Sequence, residues 1–227
     1  KRTQRRGTVS VRPKPVRMIA LLDYGSGNLR SVEKALCNVG APVRVLTRPE
    51  GLREAHAAVL PGVGAFDDCV TAMQRQELFG AIKDFIQSGR PFLGICVGYQ
   101  ALFERSEEFN SCAAGLALFE GKVVRFTERP GIKIPQIGWN QLEIARPDCP
   151  LYRGIPSGSH VYFVHSFYPK PRDASIVATW TENGDVFASS VWKDNVFATQ
   201  FHPEKSQLVG LQLLQNFVAL GGANRPR

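Results

Sequence analysis

Two stretches carry residues whose types and spacing could do chemistry. Pro91-Phe92-Leu93-Gly94-Ile95-Cys96-Val97-Gly98-Tyr99-Gln100 is a short apolar run that stops at a cysteine. Gly94-x-Cys96-x-Gly98 is the cysteine form of a nucleophile elbow, in which a strand turns sharply into a helix and small flanking residues avoid a clash. At such a helix N-terminus the dipole and unpaired backbone N–H groups favour the thiolate, the nucleophilic form of the side chain. A buried structural cysteine is the competing reading. The second stretch, Phe197-Ala198-Thr199-Gln200-Phe201-His202-Pro203-Glu204-Lys205, ends an apolar strand in a histidine with a carboxylate two residues on. A thiol nucleophile needs a base within hydrogen-bond reach, and the base needs an orienting partner. Strand alternation puts residues i and i+2 on one side, so His202 and Glu204 are expected to supply both from one strand end.

The elements that must position these groups follow from periodicity. Met18–Leu22 reads as a buried central strand. It runs into the glycine-rich loop Asp23-Tyr24-Gly25-Ser26-Gly27-Asn28, and a helix is expected over Ser31–Val39. The loop fails the full dinucleotide pattern, because Gly25-x-Gly27 is followed at the third position by Arg30. Val43–Leu46 and Ala57–Leu60 read as strands. Pro61-Gly62-Val63-Gly64 is a tight turn whose two glycines permit positive φ and close approach of backbone to a ligand. Asp67–Ser88 is helical by pattern, Gly89-Arg90-Pro91 breaks it before the cysteine strand, and the helix after Cys96 is expected to run through Phe103. In the second half, His160–Tyr168, Ile176–Thr181, Val186–Trp192 and Val196–Phe201 read as strands, with Asn183-Gly184 as a hairpin turn. A last helix, Gln207–Leu220, is expected to bury Leu208, Leu211, Leu214 and Val218. The fold class expected is α/β, and residues 18–220 show no internal repeat and no boundary.

Composition bounds the function classes. The 227 residues suffice for one large α/β domain with a substantial core. No apolar run approaches the ~20 residues of a membrane span. Five scattered cysteines (Cys37, Cys69, Cys96, Cys112, Cys149) show no metal-ligand spacing, which argues for reduced thiols and a cytoplasmic setting. Neither metal nor organic cofactor is indicated. The net charge of +8 is a property of the first 17 residues, which carry seven basic side chains and no acid. A basic arm can bind nucleic acid. This one contains Pro13 and Pro15, no apolar periodicity and no aromatic residue for base stacking. It is read as a flexible extension ahead of a folded part that opens at Met18, with 221–227 as a short C-terminal tail. The extension lacks the apolar h-region of a secretory signal.

The order Cys96…His202-x-Glu204, about a hundred residues apart, resembles that of class I glutamine amidotransferases. The resemblance covers roughly 200 residues, Met18 to Leu220. It implies a flavodoxin-like mixed sheet flanked by helices, with Cys96, His202 and Glu204 as a catalytic triad and glutamine hydrolysed by acyl transfer to glutamate and ammonia. The loop at Gly62, Val63 and Gly64 matches the family's oxyanion strand, so the backbone N–H groups of Val63 and Val97 are the implied oxyanion donors. Gln100 and Glu108 are implied to hold the substrate glutamine, an amide and a carboxylate that suit a polar ligand with an α-ammonium group. His165-Ser166-Phe167 matches a stretch whose backbone contacts that substrate, with His165 itself read as structural. The segments Asp23–Asn28 and Pro135-Gln136-Ile137-Gly138-Trp139-Asn140 are most similar to those of amidotransferase subunits of histidine biosynthesis that face a separate (β/α)8 cyclase subunit. That implies a heterodimer, with Asn28 and Trp139 at the partner interface and ammonia passed to the cyclase, which makes imidazole glycerol phosphate and an aminoimidazole carboxamide nucleotide. Tyr99 stands where the family commonly has Met or Leu, which bears on the shape of the glutamine pocket. Another class I amidotransferase and a non-catalytic binding module are the remaining alternatives.

Overall fold

The structure, a computed structural model, describes residues 18–25, 28–108 and 111–221. The basic segment 1–17, residues Ser26 and Gly27 of the glycine-rich loop, and residues 222–227 lie outside the described residues. In chain order the first half is β1 (Ile19–Leu22), α1 (Leu29–Asn38), β2 (Val43–Leu46), β3 (Ala57–Leu60), α2 (Phe66–Arg75), α3 (Leu78–Gln87), β4 (Phe92–Ile95) and the one-turn helix α4 (Val97–Gln100). The second half is β5 (Phe103–Ser106), β6 (Phe119–Arg125), β7 (Gln136–Gln141), β8 (Glu143–Ile144), β9 (His160–His165), β10 (Phe167–Pro171), β11 (Val177–Asn183), β12 (Asp185–Lys193), β13 (Val196–Thr199) and α5 (Gln207–Leu220).

One eight-stranded sheet has the order β2-β1-β3-β4-β13-β12-β11-β8. Its strands from β2 to β13 run parallel, and β12, β11 and β8 continue it antiparallel. The 2-1-3-4 order of the first half is flavodoxin-like. β1, β3, β4 and β13 are buried along their whole length, as strands covered on both faces must be, which is why their sequences are apolar runs without alternation. α1 packs with α5 and α2 with α3. A three-stranded sheet, β10-β6-β5, and the pair β7-β9 complete the chain.

Several expected elements differ from those found. The helix read over Asp67–Ser88 is two helices, broken where Glu77 takes a left-handed conformation (φ 60°). The buried residues explain it: Met73 and Leu78 are consecutive core positions five apart, a step that would put them roughly 140° apart around one continuous helix. The helix after Cys96 does not run to Phe103. It stops at Gln100, and Phe103 opens β5. The strand read over His160–Tyr168 is interrupted at Ser166, where β9 hands over to β10 in a different sheet. Gly184 forms the hairpin tip between β11 and β12 with φ 74°.

α5 has the expected span but a different buried face. Gly210, Leu213, Leu214 and Phe217 are buried, Leu211 and Val218 are half-buried, and Leu208 is 81% exposed. The cause lies at the helix start, where a Cβ on Gly210 would meet the Pro203 carbonyl oxygen at 1.8 Å. The helix therefore seats its Gly210 edge on the preceding turn and rotates Leu208 into solvent. We expect Leu208→Ala to change unfolding free energy by no more than about 0.5 kcal/mol, and Leu213→Ala to lower it by about 2–5 kcal/mol. Urea titration of the two variants checks the assignment.

Candidate active site

Cys96 joins β4 to α4 with φ 55° and ψ −110°, a conformation that a residue with a Cβ holds only when its surroundings impose it. The imposition is backbone on backbone. A Cβ on Gly98 would lie 2.0 Å from the Leu60 carbonyl oxygen, and one on Gly62 would lie 2.6 Å from the Gly98 nitrogen. The elbow thus touches the end of β3 and the loop after it, an approach open only to glycine. On its other side the Cys96 N–H donates to the Thr199 carbonyl (2.8 Å), which docks the elbow on β13. α4 is a single turn, so the donors around Cys96 are those of a tight turn, not the end of a long helix.

His202 lies three residues past the end of β13, its N–H donating to the Tyr162 carbonyl (3.0 Å) and its carbonyl accepting from Ser206 Oγ (2.6 Å). Its Nδ1 is 2.7 Å from Glu204 Oε1, and both side chains are almost completely buried. The i,i+2 contact does not come from strand alternation. Pro203–Lys205 form a 3-10 turn, which curls the carboxylate back onto the imidazole. Oε1 also accepts from Asn28 Nδ2 (2.6 Å) across 176 residues of chain. The glycine-rich loop's last residue, expected at a partner surface, therefore touches the acidic end of this pair. Burial pulls the His202 pKa down, but the Cys96 sulfur, followed by the Glu204 carboxylate, raises it further, to about 10. His202 Nε2 completes no hydrogen bond of ordinary geometry among the described residues, yet the sulfur is near enough to dominate its charge state. The arrangement is suited to an imidazolium held between the sulfur and the Glu204 carboxylate.

A cavity of about 420 Å³ opens at Cys96. Val63, Gly64, Cys96, Val97, Gln100, Glu108, Ser166, Phe167 and His202 all line it, as do Pro135, Val164, His165 and Lys205. Gly62 and Glu204 stand behind the wall. Both N–H donors of Gln100 are engaged within the protein, by the Phe167 carbonyl (3.0 Å) and Gln200 Oε1 (3.2 Å). Its remaining offer to a ligand is an acceptor oxygen. Glu108 Oε2 accepts the Phe66 N–H (2.8 Å) at the first residue of α2. Burial raises its pKa, the Phe66 bond opposes that, and the charges of Asp67 and Asp68 add to the rise. The Ser166 carbonyl accepts from the Phe126 N–H (3.1 Å). The Val97 N–H, expected as an oxyanion donor, is turned onto the Gly62 carbonyl at 3.4 Å. Tyr99 does not shape the cavity. It is fully buried with its hydroxyl on the Ala188 carbonyl (3.3 Å) and its ring against Phe103. Trp139 lies apart from the cavity wall, 46% exposed on β7 beside Ile137 at 64%. Among the described residues no cluster of His, Cys, Asp and Glu could hold a metal ion.

His165 received only a structural reading from the sequence, and nothing in a lone His before Ser-Phe marks it. Its ring is packed among Phe126, Phe163 and Phe187. Burial drives its pKa down to about 3, its Nδ1 bond to the Phe167 carbonyl opposes this, and the charge of His202 adds to the fall. From about pH 6.5 down to about 3 the unfolded chain therefore binds a proton here that the folded chain refuses, and stability present above pH 6.5 is lost as pH falls. His202, raised, acts in the opposite sense. Its contribution is full below about pH 6.5 and is lost as pH rises towards 10. Between pH 6.5 and 5, unfolding free energy is expected to drop with falling pH more steeply for the native chain than for His165→Gln, by up to about 1.4 kcal/mol per pH unit. Equal slopes in urea titrations at several pH values would contradict a neutral His165.

Comparison with known proteins meets this geometry from another side. The chain is 50% identical over 208 residues to the imidazole glycerol phosphate synthase subunit HisH of Syntrophotalea carbinolica, covering 88% of this chain and 98% of that one. It is 50% identical over 203 residues to the protein of the same name from Thermosynechococcus vestitus, covering 89% and 96%. The solved structure of PurLQS from Thermotoga maritima shares the fold, with a TM-score of 0.70, 20% sequence identity, and coverage of 89% of this chain and 97% of that chain. Residues 20–220 match the family described as glutamine amidotransferase class-I. With a cysteine elbow on a flavodoxin-like sheet and a match that spans nearly all of the described residues, this chain belongs to the class I glutamine amidotransferase family.

Proposed function

We propose that the chain is the glutaminase subunit of an imidazole glycerol phosphate synthase, a cytoplasmic enzyme of histidine biosynthesis. It hydrolyses glutamine to glutamate and ammonia and passes the ammonia to a (β/α)8 cyclase subunit. The observation that carries the reading is Cys96 on its strained elbow beside the buried His202–Glu204 pair, at the wall of a cavity that suits one amino acid. Near-full-length similarity to HisH proteins supplies the pathway.

In this reading the Cys96 thiolate attacks the side-chain amide carbon of glutamine. His202, as imidazolium, gives its proton to the departing ammonia as the C–N bond breaks, leaving a thioester on Cys96. Water then attacks that carbonyl while His202 takes its proton, the C–S bond breaks, and glutamate leaves. Glu204 holds the Nδ1 side of the imidazole and balances its charge, and Asn28 holds Glu204. The Gln100 oxygen and the Glu108 carboxylate are the acceptors available to the α-ammonium group. The exposed Trp139 and Ile137, on one strand with the apolar side of β7 outward, suit the docking of the cyclase. Replacing Cys96 with Ala is expected to abolish glutamate release, and a glutamine-analogue electrophile to label Cys96 and none of Cys37, Cys69, Cys112 or Cys149. Label on another cysteine, with Cys96 untouched, would end the reading.

The loop after β3 suggests how a partner switches the site on. An oxyanion hole needs N–H groups aimed about 3 Å from the developing charge. Here the Gly62 carbonyl takes the Val97 N–H instead. Rotation of the Gly62–Val63 peptide would withdraw that carbonyl, free Val97 and present the Val63 N–H, a movement glycine permits. A lost oxyanion donor costs about 10²–10³-fold in kcat. We expect the chain alone to be a poor glutaminase and the complex with cyclase and its nucleotide ligand to gain mainly in kcat. Glutamate release by the chain, the complex and the liganded complex measures this, and equal kcat in all three would refute the peptide rotation while leaving Cys96 as nucleophile.

A further inference from the structure

Gln200 is completely buried, and its side chain lies against the sulfur of Cys96. The sheet puts it there. Thr199 is the last β13 residue paired with β4, opposite Ile95, and its carbonyl takes the Cys96 N–H. Gln200 is the next residue, anchored by its own N–H on the Ser189 carbonyl (2.8 Å). Its Nε2 is 3.6 Å from Cys96 Sγ.

The orientation of this amide is determined by its neighbours. The Phe167 carbonyl can only accept, so the Gln100 atom 3.0 Å from it is the nitrogen. The same Gln100 nitrogen donates to Gln200 at 3.2 Å, so the Gln200 atom it meets is the oxygen. The Gln200 atom facing the sulfur is then its NH₂ group. Flipping Gln100 would set its oxygen against two acceptor oxygens, and flipping Gln200 would set donor against donor. A neutral thiol is a weak acceptor, and hydrogen bonds become stronger when the acceptor is ionised. A buried donor locked onto Sγ thus does more for the thiolate than for the thiol.

We propose that Gln200 is a second stabiliser of the Cys96 thiolate beside His202: its Nε2–H holds the sulfur ionised and in place, and Gln100 with the Phe167 carbonyl locks the amide that does so. The inference rests on the reading of Cys96 as the nucleophile and adds a residue to it. Gln100 then has a task besides lining the cavity, because it carries the orienting constraint from the Phe167 backbone to the sulfur.

The test follows Cys96 ionisation by thiolate ultraviolet absorbance against pH in the full chain, with Cys96→Ser as the blank. Gln200→Met keeps the volume and removes the donor. Its ionisation midpoint is expected to move up by about one pH unit relative to the native chain, a tenfold change in the ionisation constant. An unmoved midpoint in a variant that melts at the native temperature overturns the proposal. Should Gln200→Met not fold, the native chain labelled with nitrogen-15 in its glutamine side chains decides. The Gln200 amide resonances are expected to titrate with the thiolate midpoint and to stop titrating in Cys96→Ser, and amides that ignore that midpoint overturn the proposal. Neither readout needs glutamine. An unmoved midpoint together with loss of glutamate release in Cys96→Ala would refute Gln200 alone and leave the proposed function standing.

Discussion

The site depends on one close approach, backbone against backbone, where the turn after β4 leans on the end of β3. Gly98 would bring a Cβ to 2.0 Å from the Leu60 carbonyl oxygen, Gly94 to 2.8 Å from the Gly98 oxygen, and Gly62 to 2.6 Å from the Gly98 nitrogen. With that contact made, Cys96 stands at the carboxyl end of a parallel strand, in the position where α/β sheets carry their ligands. The strand's two neighbours then deliver the rest. β3 supplies the Pro61–Gly64 loop on one side, and β13 supplies Gln200 and His202 on the other. Groups far apart in sequence converge because parallel neighbours end at the same edge of the sheet.

Convergence buries charge, which the surroundings must offset. Taking an ion from water into a protein interior costs several kcal/mol after relaxation, and the side chains of His202 and Glu204 are 2% and 0% exposed. Glu204 Oε1 accepts two donors, Asn28 Nδ2 and His202 Nδ1. The Cys96 sulfur is the other neighbour that raises the ring's pKa. His165 is the internal control. It is the same residue type and also buried, but surrounded by three phenylalanine rings, the Phe167 carbonyl and the neutral Gln136 side chain instead of anions. One histidine is driven up to about 10 and the other down to about 3. Neighbouring charge decides which form of a buried imidazole survives.

What could be read from the sequence was whatever local spacing encodes. The stretches Val43–Leu46 and Ala57–Leu60 became strands with the same bounds. Gly94, Cys96 and Gly98 marked a sharp turn because small residues around one reactive residue have few other uses. The failures have physical causes. The break at Glu77 carries no Gly or Pro, and only the five-residue step between core positions betrays it. The buried face of α5 was misread because Leu208 is apolar by type, while the seating of Gly210 on Pro203 is a tertiary fact. His202 and Glu204 are close through a 3-10 turn, although the spacing suited a strand end as well. Asn28 reaches Glu204 across 176 residues and Gln200 reaches Cys96 across 104. No local pattern encodes such contacts, and a polar residue inside an apolar run is the faint signal that Gln200 left.

The arrangement at Gly62 bears on how large a partner's influence must be. The Val97 N–H to Gly62 carbonyl bond is long at 3.4 Å, beyond the range in which such bonds are strong. An ordinary intramolecular hydrogen bond contributes only about 0.5–1.5 kcal/mol net, so this one holds the carbonyl in place weakly. The lock is steric instead. A Cβ on Gly62 would lie 2.6 Å from the Gly98 nitrogen, 2.7 Å from the Tyr24 hydroxyl and 2.9 Å from Val97 Cβ, which bars side chains but leaves the peptide plane able to turn. A two-state loop of this kind needs a differential affinity of about 5.5 kcal/mol to swing from one part in a hundred to ninety-nine. In the proposed complex the exposed Trp139 would anchor the cyclase, and hot-spot contributions of about 2 kcal/mol or more per buried aromatic are of that order. Such an interface shifts the loop only if its contacts differ between the two states, since a partner that binds both equally shifts neither. In the proposed complex, the contacts that would matter for activation are therefore those that touch the Pro61–Gly64 loop or the Asn28–Glu204 link, and not those that merely hold two subunits together.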